Sequence, residues 1–568
     1  MTGARISPAM PTQSWHDTKR TDARFEWFSL AAFVSVYPLL QGFLVLHRNV
    51  NWDEFFFLSQ VYDFAEGRLT RSTQTFHVHM FGWLRLLSVN EVEQVIAGRM
   101  AMSIAHGATA TCIFLVARRV FTSRDAWLVL IAYLSSAYVL GHAISFRTDP
   151  LAAAFMMTSL AILFCGSLRF WLAALAAAFA AAGLLVTMKS VFYLPAFAAA
   201  FAFRMHRDGR KATILHFSQA AALLVVFSLL GLSLHSSLIG GSDDQRVATV
   251  TAKSSFEKTV LSQPWFPRLH TIAIWVVRNP IAAILVLKGA IEATKALAQR
   301  RVTGLICVLL LAPVCTLAFY RNAYPYFFPF IMPPIFIGAG IALKELRGPR
   351  LRAIVIALLG IASLLQFKDL AKEDQVAQRA IIAEVHRLFP TPEPYIDRNA
   401  MIPSFPKVGF FMTGWGMENA LATGRPALAP LIERSQPVFV IANTPILEAA
   451  LGQEVSEQHY SLHPIDMAAL RENYIHHWGP IWVAGKRFEG IGSKFVTDIA
   501  IAGEYTIECT GKRVLIEGQS KPCGGHTWLE PGQYHLAMEN NRVVSLRWGH
   551  NLPISRETAP TSPIYYGL

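Results

Sequence analysis

The chain has 568 residues, of which 53% are hydrophobic and only 16% charged. A soluble chain of this length carries nearer a quarter charged residues, so the composition argues against an ordinary soluble protein. The formal net charge of +13 raises nucleic acid as a partner. Most basic residues, however, lie in short loops between apolar blocks, where a bilayer places them, and nucleic acid is set aside.

Residues 1–24 form a polar tail, with Lys19, Arg20 and Arg24 just ahead of the apolar run Trp27–Leu46. That run is too long for a signal-peptide core and lacks a small-residue cleavage site, so it reads as an uncleaved anchor with a cytoplasmic N-terminus. A helical crossing needs about 20 apolar residues, because backbone groups in lipid must bond internally. Blocks near 27–46, 100–117, 126–146, 150–168, 170–188, 190–203, 212–235, 271–291, 302–320, 323–343 and 352–367 meet or approach this length. The sixth and last are short, and Arg278 interrupts the eighth. The expectation is an α-helical polytopic domain over residues 25–368 with about eleven spans.

Loop charge tests that count. With the N-terminus inside, the internal loops hold Arg118, Arg119 and Arg124, then Arg169, then Arg204, Arg207, Arg210 and Lys211. Lys295, Arg300 and Arg301 follow, then Lys344, Arg347, Arg350 and Arg352. The alternate loops carry Asp53, Glu54, Asp149, Asp243 and Asp244. This is the positive-inside pattern, and an odd span count puts the C-terminal region outside.

Beyond residue 368 the pattern is that of soluble protein. Asp374–Leu388 has helical spacing, Pro437–Ala442 and Ile481–Ala484 resemble buried strands, and Thr444–Leu451 and Ile465–His476 look helical, so 369–490 reads as an α/β layer. Over 491–568 the strand-like runs Tyr505–Cys509, Val514–Glu517, Tyr534–Met538 and Val543–Trp548 alternate with Gly, Asn and Pro turns, as in a β-sandwich. Cys509 and Cys523 are this region's only cysteines and are expected to form a disulfide in an oxidising compartment. Cys112, Cys165, Cys307 and Cys315 lie in apolar blocks and read as packing residues.

The first external loop, about 47–98, is long for a connector and contains Asn51-Trp52-Asp53-Glu54. The plain reading of its two carboxylates is a helix start, with Asp53 as cap and Glu54 in the first turn. Three further edges assigned to the same side carry ionisable residues: Arg147-Thr148-Asp149-Pro150, Lys189, and Arg321 ahead of Asn322-Ala323-Tyr324-Pro325-Tyr326. An N-cap explains Asp149, snorkelling explains Lys189, and a boundary anchor explains Arg321. Taken together they form a polar set at a membrane boundary, which points to function, and the expectation is that helix threading gathers them into one exoplasmic site.

In order and sidedness these features resemble the multi-span type-C (GT-C) glycosyltransferases, specifically the group of aminoarabinose-to-lipid-A transferases and protein mannosyltransferases. Asp53-Glu54, Ala97-Gly98-Arg99-Met100, Ala117-Arg118-Arg119-Val120-Phe121, Arg147-Thr148-Asp149-Pro150, Lys189 and Tyr324-Pro325-Tyr326-Phe327-Phe328-Pro329 carry the resemblance, over roughly residues 25–345. Where relatives place Lys-Pro-Pro late in the first loop, this chain reads Thr75-Phe76-His77-Val78-His79-Met80, leaving His77 or His79 to fill that role.

The resemblance implies a polyprenyl-phosphate sugar as donor and a lipid, glycan or protein as acceptor. Phosphate is a good leaving group, so the reaction needs cationic support for the phosphate and a carboxylate base for the acceptor. Asp53 is the candidate base, with Glu54 and Asp149 orienting the acceptor or steadying an oxocarbenium-like sugar. Lys189, Arg147 and Arg321 are the candidate phosphate contacts, with Tyr324 and Tyr326 as donors at the same level or as members of an interfacial aromatic belt. A divalent cation such as Mg²⁺ or Mn²⁺ suits carboxylates facing a phosphate, and metal dependence stays open. The pairs His77/His79, His459/His463 and His476/His477 lack companions at ligand spacing and read as ordinary histidines. The other readings are a flippase or transporter, a ligase or polymerase of lipid-linked glycans, and a sugar-binding scaffold. A bacterial inner membrane, with the C-terminal region periplasmic, fits the basic internal loops.

Overall fold

The computed structural model describes residues 13–71, 74–239, 264–346, 348–453, 460–490, 493–538, 542–553, 555, 557–560 and 564–565. Asp243, Asp244, Arg347 and His459 lie outside the described residues. The chain forms two compact units, one of Met1–Arg48, Phe64–Gly82 and Ile96–Glu373, the other of Asn49–Asp63, Trp83–Val95 and Asp374–Leu568. The first external loop is thus divided between them.

The first unit is helical. Among the described residues, Glu26–His47, Glu91–Val120, Thr148–Cys165, Arg210–Leu238, Pro325–Glu345 and Pro349–Leu370 are long and apolar enough to cross a membrane. Leu269–Arg278 and Pro280–Ala298 make one more if taken as a single span bent by 107°. The break falls at Asn279-Pro280, where proline cannot donate the next helical hydrogen bond. The remaining expected blocks are helical but shorter or interrupted. They are Ser123–Leu134 with Ala137–His142, Phe170–Val186, Leu194–Asp208, and Val302–Leu311 running into a 3₁₀ turn at Ala312–Ala318.

Burial separates lipid-facing from inner helices. None of the most apolar window of Arg210–Leu238 is buried, and Leu215, Val225, Leu229, Leu230 and Leu234 are all exposed. Water would penalise such a surface, whereas lipid does not. At the other extreme, Phe328–Ala339 is buried along its whole length despite Pro333 and Pro334 within it. Those prolines leave the carbonyls four residues back, Pro329 and Phe330, without helical donors. The Tyr133 hydroxyl donates to Pro329 O at 3.0 Å and the Tyr193 hydroxyl to Phe330 O at 2.6 Å, so both freed carbonyls are satisfied.

Several residues expected in basic internal loops cap helix ends. Arg204, 1% exposed, donates to the carbonyls of Leu163 and Gly166 at the end of the Thr148–Cys165 helix and pairs with Asp208. Arg119 reaches Cys165 O at 3.0 Å, while Arg352, near the start of its own helix, instead pairs with buried Asp125 at 2.9 Å. Cations at helix C-termini complement the dipole and the unpaired carbonyls.

Among its described residues the second unit contains twelve strands: β1 (Tyr395–Ile396), β2 (Lys407–Val408), β3 (Phe439–Ile441), β4 (Tyr474–Trp478), β5 (Ile481–Glu489), β6 (Lys494–Ile499), β7 (Gly503–Cys509), β8 (Arg513–Ile516), β9 (Gln519–Pro522), β10 (His526–Leu529), β11 (Gly532–Ala537) and β12 (Val543–Trp548). Eight of them form one sheet in the order β10-β7-β12-β5-β3-β1-β2, with β4 also on β5, and the other four form β6-β11-β8-β9. The nine-residue β5 pairs with β3 and β4 through its first half and with β12 through its second, so the α/β part and the all-β part share one sheet. Phe488, Tyr505, Ile507, Leu529, Val544 and Leu546 from this sheet share a buried cluster with Ile499, Val514, Ile516 and Leu536 of the smaller one. The helix expected over Ile465–His476 stops at Asn473, because Tyr474–Trp478 pairs with β5 instead. Cys509 and Cys523 form a disulfide with a Cα–Cα distance of 5.4 Å.

Candidate active site

Asp149 lies in the first turn of the Thr148–Cys165 helix, 1% exposed. It is not the cap: Arg147 precedes the helix in extended conformation and makes no side-chain cap bond. Its carboxylate turns instead to Lys189, whose Nζ donates to Oδ1. Lys189 stands in the 3₁₀ turn Met188–Tyr193, between the Phe170–Val186 and Leu194–Asp208 helices. The second carboxylate oxygen lies 3.6 Å from Arg147 Nε.

Tyr326 completes the cluster. The Arg147 guanidinium sits over its ring at 3.7 Å and Lys189 Nζ is 5.7 Å from the same centroid. Tyr324 stacks beside Tyr326, with centroids 5.7 Å apart. Gly98 makes room for the residue before Arg147, since a Cβ there would stand 2.5 Å from the Phe146 ring. One carboxylate against two cations leaves the group net positive, with aromatic faces holding the cations in place. Such a group can hold an anion as compact as a phosphate.

Arg268 was not singled out by the sequence reading. Its guanidinium lies 3.9 Å from the Tyr324 centroid and donates to the Tyr324 hydroxyl, and its Nε donates to Arg321 O at 3.0 Å. Arg321 is thereby tied to the cluster through its backbone. Trp265-Phe266-Pro267-Arg268 ahead of an apolar helix was the only sequence signal, and it looks like any boundary arginine.

His77 and His79 lie at the start of the short helix Val78–Phe81, whose Phe81 ring packs edge-on against Phe146 with centroids 5.0 Å apart. His79 Nε2 meets His235 Nδ1 at 2.8 Å, and His235 Nε2 meets the Thr75 hydroxyl at 2.8 Å. The rings of Phe64 and Phe76 pack around them, and burial pushes the His79 imidazole below its ordinary pKa. His77 is 2% exposed and precedes the short helix Val78–Phe81. His463 caps the Pro464–Asn473 helix, His476 contacts Gly479 O and His477 faces Arg547.

Asp53 and Glu54 belong to the second unit. They open the Trp52–Ala65 helix, and Asn51 rather than Asp53 is its cap: Asn51 Oδ1 accepts Asp53 N–H at 3.0 Å, and Glu54 Oε2 accepts Asn51 N–H at 2.9 Å. This reciprocal arrangement is a capping box. Glu54 is 1% exposed and its carboxylate accepts the cap residue's N–H, while Asp53 gives its own backbone N–H to the Asn51 side chain. Within the same unit, Arg398 holds its guanidinium 4.3 Å from the Trp52 ring, and Asn399 donates to Trp52 O at 3.4 Å. Arg398 is fully buried, and burial lowers it to about 10, so it is charged at neutral pH. Its neighbour Asp397 accepts from the backbone of Asn399, Ala400 and Met401 and from Asn443. The polar run Asp397-Arg398-Asn399 directly after apolar β1 was the available signal for this cluster.

No protein-family model matches the chain, and no curated protein matches its sequence. Solved structures do match. ArnT from Cupriavidus metallidurans bound to undecaprenyl phosphate aligns with a TM-score of 0.53 at 16% identity, covering 75% of this chain and 95% of that one. The Archaeoglobus fulgidus oligosaccharyltransferase in its apo form aligns with a TM-score of 0.51 at 10% identity, covering 87% of this chain and 74% of that one. The chain therefore has the fold of the type-C glycosyltransferases, with the helical unit of a multi-pass membrane protein.

Proposed function

We propose that this chain is a glycosyltransferase that moves a sugar from a polyprenyl-phosphate donor to a lipid, glycan or protein acceptor at the exoplasmic face of an inner membrane. The observation that carries the reading is the fold shared over three quarters of the chain with an enzyme solved on undecaprenyl phosphate. The buried, net-positive cluster of Arg147, Lys189, Asp149 and Tyr326 supports it, since the leaving group of such a donor is a phosphate. On this reading the chain crosses the bilayer about eleven times, some crossings being made by the shorter or broken helices. The N-terminus is then cytoplasmic and the C-terminal α/β and β-sandwich regions are periplasmic.

In the reaction Asp53 takes the acceptor's proton as the acceptor oxygen or nitrogen attacks the anomeric carbon. Lys189, Arg147 and Arg321 stabilise the departing phosphate, and Asp149 sets the position of Lys189 and Arg147. Tyr324 and Tyr326 hold the cations from their ring faces. A divalent cation is an optional addition, and the Archaeoglobus oligosaccharyltransferase has been solved in complex with Zn and sulfate. Chelation with EDTA followed by Mg²⁺ or Mn²⁺ decides the matter for this chain.

The test is release of free polyprenyl phosphate from a panel of polyprenyl-phosphate sugars by the purified chain in lipid, with and without Asp53→Asn. Loss of release with donor binding retained supports transfer. Unchanged release in the variant refutes Asp53 as the base, and sugar movement across the bilayer without release refutes transfer in favour of a flippase.

A further inference from the structure

Three residues without a role so far converge at one end of the eight-stranded sheet. Glu504 lies near the start of β7, His526 opens β10, and His550 follows β12. His526 pairs with Thr506 across β7 and β10, while Tyr505 and Ile507 enter the core. Strand alternation therefore puts Glu504, Thr506 and His526 on the opposite face. The imidazoles of His526 and His550 stack with centroids 3.8 Å apart at 28°, and His550 Nδ1 is 3.5 Å from Glu504 Oε2. One nitrogen or carboxylate oxygen from each residue lies within 4.8 Å of the others.

Hydrogen bonding sets the tautomer of His526. The Thr506 hydroxyl has one hydrogen, which goes to Gly549 O at 2.6 Å, and it accepts Asn551 N–H at 2.9 Å. Toward His526 Nδ1, at 3.3 Å, it can only accept, so Nδ1 carries the proton and Nε2 keeps its lone pair. Metal-ligating histidines are held in this way, with one ring nitrogen donating to the protein and the other presented to the ion. Nε2 faces the Asn551 side-chain amide at 3.3 Å, a contact that an ion would replace.

We propose that Glu504, His526 and His550 bind a divalent ion of the zinc class, with water in the remaining position. Two nitrogens and one carboxylate oxygen are a zinc donor set. In tetrahedral geometry, ligands about 2.1 Å from an ion stand about 3.4 Å apart, so closure from separations of up to 4.8 Å asks for a shift of up to about 1.4 Å. The side chains of His550 and Glu504, 65% and 46% exposed, have the freedom to make it. The ion would tie the edge strand β10 to β7 and to the segment after β12, while the Cys509–Cys523 disulfide joins the far end of β7 to the segment before β10. The role is a structural clamp, independent of glycosyl transfer.

The experiment uses the full chain in detergent, stripped with EDTA, dialysed and titrated with ZnCl₂, with bound zinc counted by atomic absorption. Wild type is expected to hold one equivalent more than a His526→Ala/His550→Ala chain, and Glu504→Gln to weaken that equivalent at least about tenfold. Equal zinc content in wild type and the double variant overturns the site. If the double variant is not monodisperse, the Glu504→Gln comparison alone decides, and an unchanged zinc affinity overturns the proposal. Neither result depends on sugar transfer, so failure here is distinct from failure of the proposed function.

Discussion

Removing Asp149 should do more harm to the fold than removing Lys189, although the two are partners. The carboxylate lies 3.6 Å from Arg147 Nε, and at an effective dielectric of about 20 that separation corresponds to a gross attraction of about 4–5 kcal/mol. Lys189 adds a second attraction, and both cations crowd the Tyr326 ring. Lys189→Met leaves the carboxylate paired with Arg147, so its cost is that of a charged hydrogen bond, about 1.5–3 kcal/mol. Asp149→Asn removes the carboxylate that the two cations share, and removing one partner from a buried pair costs about 3–5 kcal/mol. The temperature at which half the detergent-purified chain remains monodisperse should therefore fall furthest for Asp149→Asn. The double variant should recover part of that loss, since residues in one network are not additive. Donor binding should follow the reverse order, with Lys189→Met the weaker binder. Strictly additive stabilities, or an Asp149→Asn chain as stable as Lys189→Met, would refute the claim that Asp149 neutralises a cationic cluster.

Other outcomes follow from the same structure. Asp53→Asn should abolish polyprenyl phosphate release, and Glu54→Ala should cost about 1 kcal/mol by opening the capping box, read by thermal unfolding. Tyr133→Phe and Tyr193→Phe each leave a proline-freed carbonyl unsatisfied and should lower stability by about 1–3 kcal/mol, with Phe328–Ala339 showing faster amide exchange. Burial raises Glu448 from 4.5 to about 7. The folded state therefore holds that proton more tightly than the unfolded state, and its contribution is full below about pH 4.5 and lost as pH rises through about 7. Glu448→Gln should flatten the stability profile across that window, and an unchanged profile would show that the group does not titrate there. Gly98→Ala should displace Phe146 and with it the backbone leading to Arg147, lowering donor affinity.

The apolar blocks were legible because lipid imposes a local demand on length and composition that each segment must meet by itself. The breaks within them were less so. Leu269–Arg278 and Pro280–Ala298 read as one interrupted block, and at the 107° bend between them Asn279 accepts the Ala137 N–H, a contact from a distant part of the sequence. The two-residue strands β1 and β2 carry no periodicity of their own and exist only through pairing with each other and with β3. His79 was noticed as a first-loop histidine, but its partner His235 lies 156 residues away on a helix that otherwise reads as a plain span.

The candidate residues show why a motif can be visible and its division of labour hidden. Asp53 and Glu54 are neighbours of the same chemistry, and nothing local says which one the backbone will claim. The Asn51 N–H draws in the Glu54 carboxylate, and the proposed function gives the proton-accepting role to Asp53. The same selection operates among the cations. Arg204 and Arg119 are engaged by helix-end carbonyls, while Arg147 is held over an aromatic face beside a carboxylate it does not neutralise alone. A basic residue bound by helix-end carbonyls serves the fold, and one that shares a carboxylate with a second cation belongs to a group whose chemistry suits an anion. That distinction, rather than the presence of charge at a helix end, makes the Asp149 cluster the part of the helical unit on which donor recognition is expected to depend.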